Sequence, residues 1–273
     1  MRHPRAFSLA PAFMLTIVSR PMASKVDRLR RDLARLPHLT VALSGGVDSA
    51  VLLALAASAM PGRVTAVTTS SAAVPAEEIA DAASLAASLG VPHEVVATSE
   101  LEDPAYRAND GERCYFCRRE MYGVLTGRGA VADGLNADDI VADRAGVRAA
   151  AEHGVLHPLR DHGLTKAEIR RLARGFGLSV HDKPAQPCLA SRIRTGDEVT
   201  AERLARVGVA ENAVRRLGYR VFRVRLEDRH ARVEVGREQL ADALADADRI
   251  ESVVRAAGFE TATVDPSGYG STS

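Results

Sequence analysis

Two groups of residues in this chain have types and spacings that do chemistry. The first is Ser44-Gly45-Gly46-Val47-Asp48-Ser49. Adjacent glycines let a backbone turn tightly and come close to an anion. The amides that open a following helix then point at it. Ser44 and Ser49 add hydroxyl donors, and Asp48 is placed to hold a Mg²⁺ that bridges phosphate oxygens. The segment has neither the lysine of GxxxxGK[ST] nor the spacing of GxGxxG. A plain glycine turn, with Asp48 favouring the helix dipole, is the structural alternative. The second group is the cysteines. Cys114 and Cys117 form a CxxC between Arg113 and Arg118, and Cys188 lies in the stretch Lys183 to Arg192. Nearby cations favour thiolate, the reactive and metal-binding form. Three thiolates can hold three irons of a [4Fe–4S] cluster. A Cys₃His zinc site with His157 or His162 is the rival, and three unrelated thiols are the third reading.

Lesser candidates accompany them. Asn136 and Asp138 end a predicted strand, where they contact nucleotide or metal or else form an ordinary Asx turn. Arg192, close after Cys188, is suited to a substrate phosphate or is a plain surface arginine. Arg223 and Arg225 alternate on a predicted strand, to hold phosphate or to keep that face soluble.

The elements that must position these groups follow from pattern. An amphipathic helix is predicted over Val26 to Leu36, a buried strand over 38–43 and further strands over 63–69 and 93–97. Helices are predicted over 49–59 and 75–89, so strand and helix alternate as in a parallel sheet covered by helices on both faces. Another strand covers 129–135. Thr165 caps a helix to Phe176, with Glu168 completing a capping box. After Gly196 the composition shifts. Helices over 200–217 and 239–257 and strands over 220–226, 230–235 and 259–264 read as a small α+β domain. The division is an extension over 1–23, an α/β domain with the Ser44 to Ser49 loop over 24–195 and the α+β domain over 196–273. The basic, then apolar, start weakly resembles a signal peptide, but Ser19-Arg20-Pro21 follows it instead of a cleavage site; Met22 is an alternative start.

Bulk composition narrows the classes. With 273 residues and 46% hydrophobic content, the chain can build substantial cores. Lys plus Arg total 36 against 35 for Asp plus Glu, so no basic field favours nucleic acid. Three cysteines are too few for a disulfide framework, which suits a reducing cytoplasm. No stretch is long enough for a membrane span.

Ser44 to Ser49 resembles the loop of the ATP pyrophosphatase superfamily. With Tyr106 to Asn109 leading into Arg113 to Cys117, then Asp133 to Asp139 and Cys188 to Arg192, the order is similar to that of the LarE family of sulfur transferases. The likeness runs from about Ser24 to Tyr269. It implies an adenine nucleotide α-hydrolase-like fold, cleavage of ATP with Mg²⁺ between the α and β phosphates, and a small nucleotide substrate. That substrate is pyridinium-3,5-biscarboxylic acid mononucleotide, whose carboxylates are adenylated and become thiocarboxylates of the nickel-pincer cofactor. It further implies a homo-oligomer. In single-cysteine members the residue matching Cys188 gives up its own sulfur. Cys114 and Cys117 make this chain similar to the three-cysteine members, in which a [4Fe–4S] cluster carries sulfide. A tRNA-thiolating enzyme and a nucleotide-binding module without turnover are the alternatives.

Overall fold

The computed structural model describes residues 20–141 and 144–269, so most of the extension expected over 1–23 lies outside the described residues. Its last part does not: α1, Arg20–Ala34, begins there, and Met22 is fully buried. The chain divides into two compact units. One comprises Met1–Ser71, Ala76–Glu100 and Cys114–Ala185, the other Ala72–Pro75, Leu101–Arg113 and Gln186–Ser273. The second unit therefore starts earlier than the composition shift suggests and includes Cys188.

The first unit holds a parallel sheet in the order β3-β2-β1-β4, with β1 at Leu39–Ala42, β2 at Val64–Ser70, β3 at His93–Ala97 and β4 at Ala130–Ala132. Helices cover both faces, as the alternation predicts. Leu39, Val41, Val64, Ala66 and Ala132 face α1, α2 (Val47–Ala59), α3 (Ala76–Ser88) and α8 (Lys166–Gly175). Val67 and Val131 face the opposite way, toward α5 (Arg113–Leu125) and α6 (Arg144–Glu152). Adjacent strand residues point to opposite faces, so the two cores interleave along one sequence. In α1, Met22, Val26, Leu29 and Leu33 make the buried stripe, at helical spacing. By contrast α2 is buried nearly all round, as its Ala- and Leu-rich composition requires.

Strands β1 to β3 build outward on one side, and β4 then returns to the other side of β1. The reversal opens a crevice at the carboxyl ends of β1 and β4, where open α/β sheets bind ligands.

In the second unit β5 (Phe222–Glu227) and β6 (His230–Val235) form an antiparallel hairpin, and β7 (Thr261–Val264) lies parallel to β6. Buried apolar residues of this sheet alternate with charged or hydroxyl-bearing ones, and α9 (Ala201–Arg216) and α11 (Ala247–Ala256) pack against it. The single helix expected over 239–257 is broken at Asp246 into α10, Leu240–Ala245, and α11. Aspartate bonds local backbone readily and favours helix ends over interiors. Two short helices, α4 (Pro104–Arg107) and α7 (Pro158–Asp161), each start on proline.

Candidate functional site

In the first unit the loop between β1 and α2 is pre-formed. Gly45 takes φ +74°, and a Cβ there would lie 3.1 Å from Glu78 O. Gly46 caps α2 without a side-chain hydrogen bond, which leaves the first-turn amides free of any side-chain cap. Ser49 Oγ donates to Gly46 O at 3.2 Å, accepts from Ser44 N at 3.2 Å and lies 3.1 Å from Ser44 Oγ. Ser44, Gly45, Gly46, Asp48 and Ser49 thus stand together at the crevice. The loop after β4 presses on them: a Cβ on Gly134 would fall 2.7 Å from Ser49 N.

Asp48 is the centre of charge. Its Oδ2 accepts from Lys166 Nζ, while its Oδ1 is buried with no partner. Burial raises the Asp48 pKa above the ordinary carboxylate value, and nearby Asp139 adds to this against the opposing pull of Lys166. A buried carboxylate oxygen with no donor is a fitting ligand for a hard cation, so Asp48 suits the expected Mg²⁺. Lys166 opens α8, and its backbone N–H donates to Asp138 Oδ2 at 2.7 Å. The lysine missing after the glycines therefore arrives from α8. The capping box Thr165–Glu168, present as expected, marks its place on the helix, but its partner is set only by tertiary structure. A second lysine was equally silent in sequence: Lys183 Nζ bonds Glu78 Oε2 and Asp81 Oδ2, both at 2.8 Å, and Glu78 adjoins Gly45.

Asn136 and Asp138 show the Asx arrangement. Asn136 Oδ1 accepts from Asp138 N at 2.8 Å, and its Nδ2 donates to Asp139 Oδ2 at 2.6 Å. Their side chains shape the loop and hold Lys166.

The three cysteines are free thiols. Cys114 and Cys117 lie in the first turns of α5 in the first unit, and Cys188 precedes a 3₁₀ turn, Leu189–Arg192, in the second. Among the described residues no three His, Cys, Asp or Glu side chains are grouped to hold a metal ion. His157 Nδ1 is 2.7 Å from Asp133 Oδ1, and both ring nitrogens of His162 are engaged, by Pro158 O and Asp32.

Arg192 departs from expectation. It is almost fully buried and forks onto Glu211 at 2.8 and 3.0 Å. Its Nη1 reaches Pro187 O at 2.8 Å, Ser191 Oγ at 2.8 Å and Cys188 O at 3.3 Å. An arginine so committed shapes the cysteine turn instead of offering a fork to phosphate. Arg225 likewise bonds Glu234 Oε2 at 3.0 Å and Ser191 O at 2.8 Å. Arg223 is buried beside Tyr269, its Cζ 4.7 Å from the ring centroid, and burial together with nearby Arg192 lowers its pKa.

Comparison with known proteins bears on this arrangement. The asparagine synthase family model matches residues 27–109, the segment carrying the loop. An uncharacterised protein of Synechocystis sp., slr1717, is 40% identical over 256 residues, 91% of this chain and 96% of that one. The pyridinium-3,5-bisthiocarboxylic acid mononucleotide synthase of Lactiplantibacillus plantarum is 32% identical over 256 residues, 91% of this chain and 92% of its own. The chain belongs to the LarE family. As a LarE-family protein it carries the loop of ATP-using enzymes on the parallel sheet that the loop requires. No helix among its described residues is long and apolar enough to cross a membrane.

Proposed function

We propose that this chain is an ATP-dependent sulfur transferase acting on pyridinium-3,5-biscarboxylic acid mononucleotide. The observation that carries the reading is the crevice at the β1–β4 reversal. There an uncapped helix start, an unpartnered Asp48 oxygen and Lys166 converge in a chain related over most of its length to a synthase of the corresponding bisthiocarboxylic acid.

A carboxylate resists nucleophiles because it is anionic and its oxide leaves poorly. In the proposed first step a substrate carboxylate oxygen attacks the α-phosphorus of ATP and pyrophosphate departs, leaving an acyl adenylate. Amides of Ser44 to Ser49 receive the outer phosphates, and Asp48 would hold Mg²⁺, which neutralises the charge growing on the leaving group. Lys166, whose ammonium bonds Asp48 at the mouth of the loop, is placed to supply positive charge to the phosphates. In the second step sulfur attacks the acyl carbon and AMP leaves: sulfide gives the thiocarboxylate directly, whereas the Cys188 thiolate gives a thioester whose Cβ–S bond then breaks as the Cα–H leaves as a proton, yielding thiocarboxylate and dehydroalanine. Cys188, Cys114 and Cys117 are the sulfur-handling residues. The [4Fe–4S] ligation of these three rests on the family resemblance.

The near balance of charge supports a small nucleotide over RNA. The test is a single-turnover reaction of the full chain with Mg·ATP and the pyridinium substrate. Pyrophosphate and AMP form together with a product carrying sulfur in place of oxygen. A chain that binds ATP but never releases pyrophosphate is a nucleotide-binding module, and release only with tRNA makes it a tRNA thiolase. Iron and sulfide analysis after anaerobic purification decides the ligation: wild type retains both and Cys188→Ala loses them. Loss of one H₂S from Cys188 after turnover, without iron, assigns the sulfur to that residue.

A further inference from the structure

The Cys188 turn is held by more than its own arginine. Besides the grips of Arg192 and Arg225 on Pro187, Cys188 and Ser191, Arg113 Nη1 donates to Ala190 O at 2.9 Å. Arg113 is itself set by Asn109, whose Oδ1 accepts from the same nitrogen at 2.5 Å. Asn109 is 1% exposed and sits at φ +53°. Its Nδ2 donates to Arg194 O and Asp197 O, both at 2.8 Å, and its backbone carbonyl accepts from Gly196 N at 2.8 Å. A buried non-glycine residue in the left-handed region is held there only by its surroundings. Here the side-chain oxygen and nitrogen of Asn109 are both spent on clamping the chain before Cys114 to the chain on the far side of Cys188.

We infer that Asn109 and Arg113 are positioning residues for the sulfur-transfer half of the reaction: they fix the backbone that follows Cys188. The inference rests on the proposed reaction and adds a division of labour within it. Adenylation needs the phosphate loop of the first unit, whereas both residues belong to the second. Sulfur transfer needs a nucleophile held near 3–3.5 Å from its carbon, and a displacement of about 1 Å costs about 100-fold. A turn whose carbonyls are gripped by Arg113, Arg192 and Arg225 loses one of its anchors when Arg113 loses its fork or its guide.

The test compares wild type, Arg113→Lys and Asn109→Gly in the full chain with Mg·ATP and the pyridinium substrate. Pyrophosphate is read by a coupled assay, thiocarboxylate by mass, and integrity by thermal melting. Lysine keeps the charge of Arg113 without its planar fork, and glycine accepts the left-handed backbone of Asn109 without strain. First-turnover pyrophosphate release stays within about twofold of wild type while thiocarboxylate formation falls about 100-fold. Equal losses in the two steps, or thiocarboxylate at the wild-type rate in both variants, overturn the inference. Absence of pyrophosphate from the wild type sinks the proposed reaction itself, a separate result.

Discussion

At the scale of single residues, the crevice is governed by close approach as much as by charge. Gly134 is a glycine because Ser49 N and the Asp48 carbonyl carbon occupy the place of its Cβ, at 2.7 and 3.1 Å. Both are backbone atoms, so a methyl cannot be accommodated by rotating a side chain. Gly134→Ala is expected to cost about 1–3 kcal/mol in thermal or denaturant unfolding and to weaken ATP binding by calorimetry, because the displaced atoms belong to the phosphate loop. A Cβ on Gly46 would meet only Ser44 Oγ at 3.4 Å, so Gly46→Ala spares the fold and serves as the control. If the two variants melt alike, backbone crowding at Gly134 is not what fixes the loop. Asp48 and Lys166 give a second residue-scale prediction. Lys166→Ala removes the cation bonded to a carboxylate that burial already disfavours, so pyrophosphate release falls at subsaturating Mg²⁺. Saturating Mg²⁺ restores part of it, because a bound cation supplies the missing charge.

Between elements, Asp133 ties three parts of the first unit together. It follows β4, accepts from Tyr122 Oη on α5 at 2.5 Å, and lies 2.7 Å from His157 Nδ1 before α7. Its Oδ1 also accepts from Leu135 N at 3.1 Å, which fixes the chain on both sides of Gly134. Burial alone would raise the Asp133 pKa, but His157, Tyr122 and Arg118 outweigh it and hold the carboxyl below its ordinary 3.8. A depressed carboxylate stabilises the fold above the unfolded-state pKa, and that stability is lost as pH falls through the folded-state pKa. Asp133→Asn should therefore cost about 2–4 kcal/mol near neutral pH. The gap to wild type should close in melts taken progressively below pH about 4. A gap independent of pH would mean that Asp133 acts by shape and not by charge. None of this network is visible in sequence, where Tyr122, Asp133 and His157 fall on three elements. Strands such as His93–Ala97 and His230–Val235 were legible to the residue because β-branched runs between turn residues leave few alternatives. Helix α5 was not: of its thirteen residues only Tyr122 and Leu125 are buried, too few to write an apolar stripe. The same limit applies to the site. Ser44 to Ser49 announce themselves because local backbone does the work, whereas Lys166, Arg113 and Asn109 act through partners 77 to 118 positions away.

For the molecule as a whole, ligand and stability are linked by mass action. A ligand that binds only the folded chain stabilises it by about 2.7 kcal/mol at a hundred times its Kd. In the proposed function the crevice would offer Mg·ATP amides, hydroxyls and a cation site that the unfolded chain lacks, so Mg·ATP is expected to raise the unfolding transition. The Asp48→Asn variant separates the metal from the rest of the site. Removing a buried charge whose pKa is raised takes away a cost that is present above the unfolded carboxylate pKa and absent below it. The apo variant should then melt at or above the wild-type temperature at neutral pH, with Lys166, about a third exposed, left to solvent. Its response to Mg·ATP should shrink toward that of ATP without Mg²⁺. Higher apo stability with a lost metal-dependent increment is the signature of a carboxylate kept buried for a cation instead of for the fold. A variant that is less stable without ligand and gains as much from Mg·ATP as wild type would make Asp48 a partner of Lys166 and nothing more, and the cation would have to be held elsewhere in the crevice.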